Sequence, residues 1–272
     1  MARMRRVDYC GAFHHIMCRG NNGNFIFNDR ASKEFYLLTV EEYKAMYDVK
    51  LLAYCVMSNH VHLLVQSGKL PIGEFMRIVQ TTFSKWYHKQ NNSYGVVFSG
   101  RFKSICVNCS GYYYNLLRYI HLNPVKDGLS STLAYPYSSY NDYMSGKGII
   151  DFPEAFGIIG DAHSSVKKRF IDILNRDEKS VILEAIQKLR VDLLFPMEQL
   201  DALMVLLDYD KTYMLGHDQP PYYRELRALL IRTIRSEMTI STNYLSIYFK
   251  ISKTHLYKLY ADSDVTIEGK PC

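Results

Sequence analysis

At 272 residues, with 48% hydrophobic and 22% charged side chains, the chain is long enough to bury a core without staples, and its composition excludes a fibrous, disordered or low-complexity protein. Its formal charge of +6 is unevenly spread: residues 1–150 hold 17 Lys and Arg against 9 Asp and Glu, whereas residues 151–272 hold 16 against 18. A basic half that also shares in 23 Tyr and 13 Phe able to stack on bases makes nucleic acid the first partner to consider.

The opening residues show no apolar signal core, and no run of ~18 apolar residues follows, so the expectation is a cytoplasmic, nucleoid-associated protein without a membrane span. The six Cys are irregularly spaced and read as reduced thiols.

Taken in chain order, Phe13 to Cys18 reads as a strand closed by the loop signal Arg19-Gly20-Asn21-Asn22-Gly23. Ser32 is an N-cap candidate for a helix to about Tyr47, with Phe35, Leu38, Tyr43 and Met46 at helical spacing. Lys50 to Met57 and His60 to Gln66 form a hairpin over Ser58-Asn59. A second helix starts near Pro71, and Phe102 to Val107 makes a fourth strand. Ser110 caps a third helix, expected to stop at Asn123-Pro124 because the residue before proline is pushed out of the α region. This order is the ferredoxin-like split βαβ arrangement, an α+β fold whose antiparallel sheet carries helices on one face and leaves the other free.

After Gly148 the pattern is helical only, with candidates at 163–175, 177–190, 196–207 and 221–237. A boundary near 150 therefore separates a domain of residues 1–150 from an all-α domain of residues 151–272. Within the latter, residues 240–260 have the length and cap pattern of a helix-turn-helix, with Ser252 as N-cap and Lys253, Thr254, His255 and Lys258 on the reading helix. A three-helix bundle without DNA contact fits the same pattern.

His60-Val61-His62 is the sharpest local feature. Alternate strand residues share a face, so the two imidazoles project together and can chelate one divalent ion. On the third helix Tyr119 and Asn123, four apart, share a face, whereas His121 is turned about 200° from Tyr119. A tyrosine beside a metal-bound phosphodiester is a plausible nucleophile. Tyr112, Tyr113 and Tyr114 compete for that role but have no amide four residues on. Cys106 and Cys109 form a lone C-x-x-C, with no second pair to complete a zinc site.

Four stretches in order resemble the motifs of single-tyrosine HUH transposases, specifically the REP-associated tyrosine transposase branch. They are Ser58-Asn59-His60-Val61-His62-Leu63-Leu64-Val65, Gly100-Arg101-Phe102-Lys103, Tyr119-Ile120-His121-Leu122-Asn123-Pro124-Val125-Lys126, and Tyr135-Pro136-Tyr137-Ser138-Ser139-Tyr140. Together they cover about residues 7–143. The resemblance implies a metal-dependent single-stranded DNA endonuclease and strand transferase acting near hairpins. His60, His62 and Asn123 would bind Mg2+ or Mn2+, and Tyr119 would form a 5′-phosphotyrosine link. Tyr135 stands where the family usually has tryptophan. Arg3, Arg5, Arg6 and Arg19 sit where an N-terminal arm and a first loop can meet phosphates, and the resemblance implies that this region helps read a tag beside the hairpin; a solvated basic tail is the alternative, and Arg101, Lys103 and Lys126 are further expected DNA contacts. Double-stranded DNA is an expected second partner through the C-terminal helices. A non-catalytic DNA-binding protein that keeps the fold is the rival reading. An RNA-binding ferredoxin-like module lacks its stacking signature here.

Overall fold

A computed structural model describes residues 8–108, 110–159, 163–189, 196–216, 219 and 221–261. Arg3, Arg5, Arg6 and Cys109 lie outside these residues. By contact, the described residues fall into two compact units: those within Met1–Asn108 and Tyr113–Asn175, and those within Cys109–Tyr112 and Arg176–Cys272.

The first unit is built on a four-stranded antiparallel sheet of β1 (Phe13–Arg19), β2 (Lys50–Val56), β3 (His60–Gln66) and β4 (Lys103–Val107), in the order β2-β3-β1-β4. α1 (Arg30–Met46) connects β1 to β2, and α2 (Ile72–Asn91) connects β3 to β4. This is the expected split βαβ topology, and the fold is α+β. α1 begins earlier than Ser32 because Asp29 is the N-cap, its carboxylate accepting from Ser32 N–H at 2.7 Å. The start of α2 is held by Asp8, whose carboxylate accepts from Ile72 N–H at 2.9 Å.

The sheet has two unlike faces. Ile16, Cys18, Val61, Leu63 and Val65 are buried with Tyr36 and Val40 of α1 and with Val79 and Phe83 of α2. The Tyr36 hydroxyl reaches Cys18 Sγ at 3.9 Å. The opposite face is not left free. α3 (Ser110–Lys126) crosses it, with Tyr113 edge-on to Phe13 at 5.9 Å and Tyr119 edge-on to His15 at 6.2 Å. Phe13 and Leu64 share that face, and apolar side chains there need a cover.

α3 also runs past Asn123-Pro124 to Lys126. Proline removes one donor, for the carbonyl four residues earlier, but the following turn still closes, with Asp127 N–H on the Asn123 carbonyl at 3.0 Å. Leu129 N–H then takes the Pro124 carbonyl at 2.8 Å.

Beyond α3, the chain returns along the outer edge of β2. Val56 N–H donates to the Tyr137 carbonyl, Ser139 N–H to the Tyr54 carbonyl, and Ser139 Oγ accepts from Tyr54 N–H at 2.9 Å. The Tyr135 hydroxyl reaches the Val56 carbonyl at 3.1 Å and the Tyr143 hydroxyl the Leu52 carbonyl at 2.8 Å. Tyr143 lies in α4 (Tyr140–Ser145). Asp151 completes the edge: its N–H bonds the Leu51 carbonyl, and its carboxylate takes Leu51 N–H and Lys44 Nζ.

These contacts carry the first unit past residue 150. It also includes α5 (Phe152–Ile159), which packs on β2, and α6 (His163–Asn175). Phe170 of α6 is fully buried and stacks on Tyr143 at 4.1 Å with 10° between the rings. Neither α4 nor α5 is among the expected elements, because each is too short to show a periodic stripe.

The second unit holds α7 (Glu178–Lys188), α8 (Pro196–Leu206), α9 (Lys211–Leu215), α10 (Pro221–Glu237), α11 (Thr242–Phe249) and α12 (Lys253–Ala261). Asp177, Asp210 and Ser241 cap α7, α9 and α11 with side-chain acceptors. Its core includes Ile182, Leu200, Leu203, Leu230, Ile231, Ile234, Leu245 and Phe249. No helix among the described residues is long and apolar enough to cross a membrane.

Truncating Phe170 tests how far the first unit extends. Phe170→Ala is expected to destabilise it by about 3–5 kcal/mol, read from urea unfolding followed by near-UV circular dichroism. A change below about 0.5 kcal/mol, typical of surface sites, would place α6 outside the core.

Candidate active site on the sheet face

Register places the functional side chains. In antiparallel pairs, residues directly opposite share a face, and one row across the sheet reads Cys55, His62, Met17, Lys103. The next row outward pairs Arg19 with His60. The two histidines therefore sit on the face crossed by α3, at its outer end. Their rings are edge to face, with centroids 5.0 Å apart. Tyr119 comes down on them from α3, its ring 5.2 Å from His62.

Each histidine is held through its Nδ1. His60 Nδ1 lies 2.6 Å from Asn59 Oδ1, an oxygen that only accepts, so the proton is on Nδ1 and Nε2 keeps its lone pair. Asn59 is itself oriented by donating its amide N–H to the Gly23 carbonyl. The loop that supplies this carbonyl folds back at Gly20, where a Cβ would lie 2.2 Å from the Asn24 carbonyl oxygen, so no larger residue fits.

His62 Nδ1 lies 2.9 Å from Nε2 of His15, a residue absent from the expected site. His15 is fully buried on β1, two positions from Met17, and its ring stacks on that of His62 at 5.2 Å. The histidine pair at residues 14 and 15 is visible in the sequence. Which of the two meets His62 follows only from the β1–β3 register. His14 faces the other side of the sheet, toward Ser104 Oγ at 3.0 Å and Asp8 at 3.3 Å.

Burial makes these imidazoles neutral. It lowers the pKa of His15 to about 3 and that of His62 well below the ordinary value, with each neighbouring histidine adding repulsion. His60 is lowered by burial too, against the pull of Asp127. A neutral imidazole is the form that binds metal.

His62 Nε2 is buried and has no hydrogen-bond partner among the described residues. An orphaned ring nitrogen of this kind fits a cation, with His15 behind it as the oriented support that metal-bound histidines usually have. Among the described residues, no three His, Cys, Asp or Glu side chains gather into a metal-holding group. A third protein ligand would thus come from another residue type. Asn123, 6% exposed, qualifies: it shares the helix face of Tyr119, and its amide N–H donates to the Tyr119 carbonyl, which leaves its oxygen as the coordinating end.

Because α3 continues through Pro124, Lys126 lies on the same face, with Nζ 6.0 Å from the Tyr119 ring centroid. Arg19, Arg101, Lys103 and Lys126 are all exposed, with Arg19 and Lys103 on the histidine face of the sheet. Lys253, Thr254, His255 and Lys258 lie on α12 of the second unit, also exposed.

The competing tyrosines are occupied elsewhere. Tyr113 is buried against Phe13, the Tyr114 hydroxyl donates to the Ile158 carbonyl, and Tyr112 packs on Tyr223 within the second unit. His121 is buried behind Tyr119, with Nδ1 2.7 Å from the Leu117 carbonyl and Nε2 2.8 Å from Ser139 Oγ. It ties α3 to the segment that closes β2, and so it positions Tyr119 rather than reaching the site.

The supporting role of His15 is testable without any reaction. His15→Phe keeps a ring but removes the acceptor for His62 Nδ1, and Mn2+ affinity, followed by titration with paramagnetic resonance, is expected to fall about 10–100-fold. Unchanged affinity would show that His62 is oriented without it.

Among solved structures, a REP-associated tyrosine transposase bound to a REP hairpin is similar to this chain at 17% sequence identity and a TM-score of 0.46, covering 53% of this chain and 86% of that one. No curated protein matches. Residues 10–123 match the family model described as transposase, IS200-like. The matched segment carries both histidines, Tyr119 and Asn123.

Proposed function

We propose that the protein is a metal-dependent single-stranded DNA endonuclease and strand transferase of transposase type, acting beside DNA hairpins through Tyr119, with duplex DNA as a second partner of its C-terminal helices. The observation that carries this reading is the placement of the Tyr119 ring 5.2 Å from His62, whose buried Nε2 has no hydrogen-bond partner among the described residues. The IS200-like match of the same segment supports it.

In this reading His60, His62 and Asn123 would hold Mg2+ or Mn2+, which would supply positive charge to phosphate oxygens and to the ionised phenol. Tyr119 supplies the nucleophile. Its phenol oxygen, having lost its proton to solvent, bonds to phosphorus as the bond from phosphorus to the 3′ oxygen breaks, and the departing oxygen takes a proton from solvent, leaving a 3′-hydroxyl and a 5′-phosphotyrosine. The bond energy is conserved in that ester, so a 3′-hydroxyl can reverse the step and rejoin DNA without ATP. Lys126 places positive charge beside the developing phenolate. Arg19, Arg101 and Lys103 offer phosphate contacts along the strand, as would Arg3, Arg5 and Arg6 of the N-terminal arm.

Incubation with Mn2+ and labelled hairpin oligonucleotides carrying randomised single-stranded flanks is expected to give a covalent adduct that peptide mapping places at Tyr119. Tyr119→Phe removes one oxygen and almost no volume, so it should abolish the adduct and keep DNA binding. EDTA should abolish cleavage, and Mg2+ or Mn2+ should restore it. No adduct with the wild-type chain would leave the non-catalytic DNA-binding reading. An adduct on Tyr112, Tyr113 or Tyr114 would move the nucleophile.

A further inference from the structure

Within the second unit, α11 and α12 are the helices on which the reading of duplex DNA as a second partner can be sharpened. From residue 238 to residue 261 the chain contains no Asp or Glu, while Lys250, Lys253, Lys258 and His255 fall in that span. The eight residues of α11 and the nine of α12 are joined by Lys250, Ile251 and Ser252 alone.

That joint is sharply set. Lys250 occupies the left-handed region at φ 52 and ψ 43 and returns its N–H to the carbonyls of Ser246 and Ile247. Ile251 N–H bonds the Ser246 carbonyl, and Ser246 Oγ bonds the Ile251 carbonyl at 2.7 Å. Ser252 Oγ then accepts from His255 N–H and opens α12. Leu245 and Phe249 of α11 and Leu256 of α12 are fully buried, so the two helices are anchored from below.

What remains above on α12 is one polar arc, whereas on α11 Tyr244 and Ile247 are exposed. At 100° per residue, Lys253, Tyr257, Thr254 and Lys258 fall within an arc of about 140°. All four are exposed, as is His255, and Tyr257 is the only large ring among them. A membrane surface would call for bulky apolar residues on that arc, and a protein partner for an apolar centre. Cations interleaved with short hydrogen-bonding side chains fit the grooved, polyanionic surface of duplex DNA.

We propose that α12 enters the major groove of double-stranded DNA and reads its sequence, supported by α11. Lys253 and Lys258 meet phosphates, and Thr254 and His255 face base edges. This deepens the reading of DNA as the partner of the chain and rests on it. It assigns the second unit a duplex site distinct from the single-strand chemistry of Tyr119.

The test uses the full chain carrying Tyr119→Phe, so that no cleavage interferes, and a pool of random-sequence 20-base-pair duplexes with constant flanks. Repeated selection is expected to enrich a common motif. The double variant Lys253→Gln/Lys258→Gln should weaken binding to that motif about tenfold and flatten the log–log salt dependence by about 2, one for each lost phosphate contact. Thr254→Ala/His255→Ala should relax the selected sequence and leave the salt slope unchanged. The melting temperature and far-UV circular dichroism of both double variants should match those of the parent chain, which separates loss of contact from loss of the fold. A pool that emerges unselected, or a Lys253→Gln/Lys258→Gln chain with unchanged slope and affinity, would overturn the proposal. Failure of the wild-type chain to form an adduct strikes the endonuclease reading alone, because duplex selection by the Tyr119→Phe chain does not depend on it.

Discussion

The pairing of β1 with β3 is the constraint on which the site depends. Met17 opposite His62 and Arg19 opposite His60 fix which side chains share a face. A slip of one residue would turn His15 into the helical layer and bring His14 beneath His62. The apolar residues of both strands oppose such a slip: a shift by one residue would take Ile16 and Cys18 out from under α1 and α2, away from Val61, Leu63 and Val65. The core therefore determines the geometry of a polar site on the opposite face, without any of its residues touching that site.

A second constraint sets the height of the tyrosine above the sheet. α3 is gripped by Tyr113 on Phe13 at one point and by His121 on Ser139 at another. Ser139 is in turn bonded to the backbone of β2. The chain from β2 to Ser139 to His121 to α3 is buried throughout, and burial holds His121 neutral, with its pKa lowered to about 4. A neutral ring can accept from one partner while donating to another, as a link between a carbonyl and a hydroxyl requires.

Much of this was legible in the residues themselves. Periodicity located the four strands and the longer helices, because half-buried strands and amphipathic helices must alternate in register with their cores. Strand parity put His60 and His62 together, and helical spacing did the same for Tyr119 and Asn123. What escaped was whatever depends on two segments distant in sequence. His15 needs the β1–β3 alignment, and Asp29 rather than Ser32 caps α1 because the loop path brings its carboxylate to Ser32 N–H. The run of α3 beyond Pro124 escaped for a different reason. Proline removes one donor and leaves the next turn free to close, and that last turn is what carries Lys126 toward Tyr119.

The closure of β2 has a consequence for the chain as a material. Residues Leu51 to Val56 read Leu-Leu-Ala-Tyr-Cys-Val, six uncharged residues at the margin of the sheet, which is the composition of a segment that stacks into intermolecular β-structure. Natural edge strands commonly guard against this with a lysine or a proline of their own. Here β2 has a lysine only at its first residue, Lys50, and the rest of the guard is borrowed from about 80 to 100 residues downstream: Tyr135, Tyr137, Ser139, Tyr143 and Asp151 occupy the backbone groups that another molecule would use. During synthesis the strand emerges long before its guard does, and in that interval the chain depends on being kept apart from its own copies.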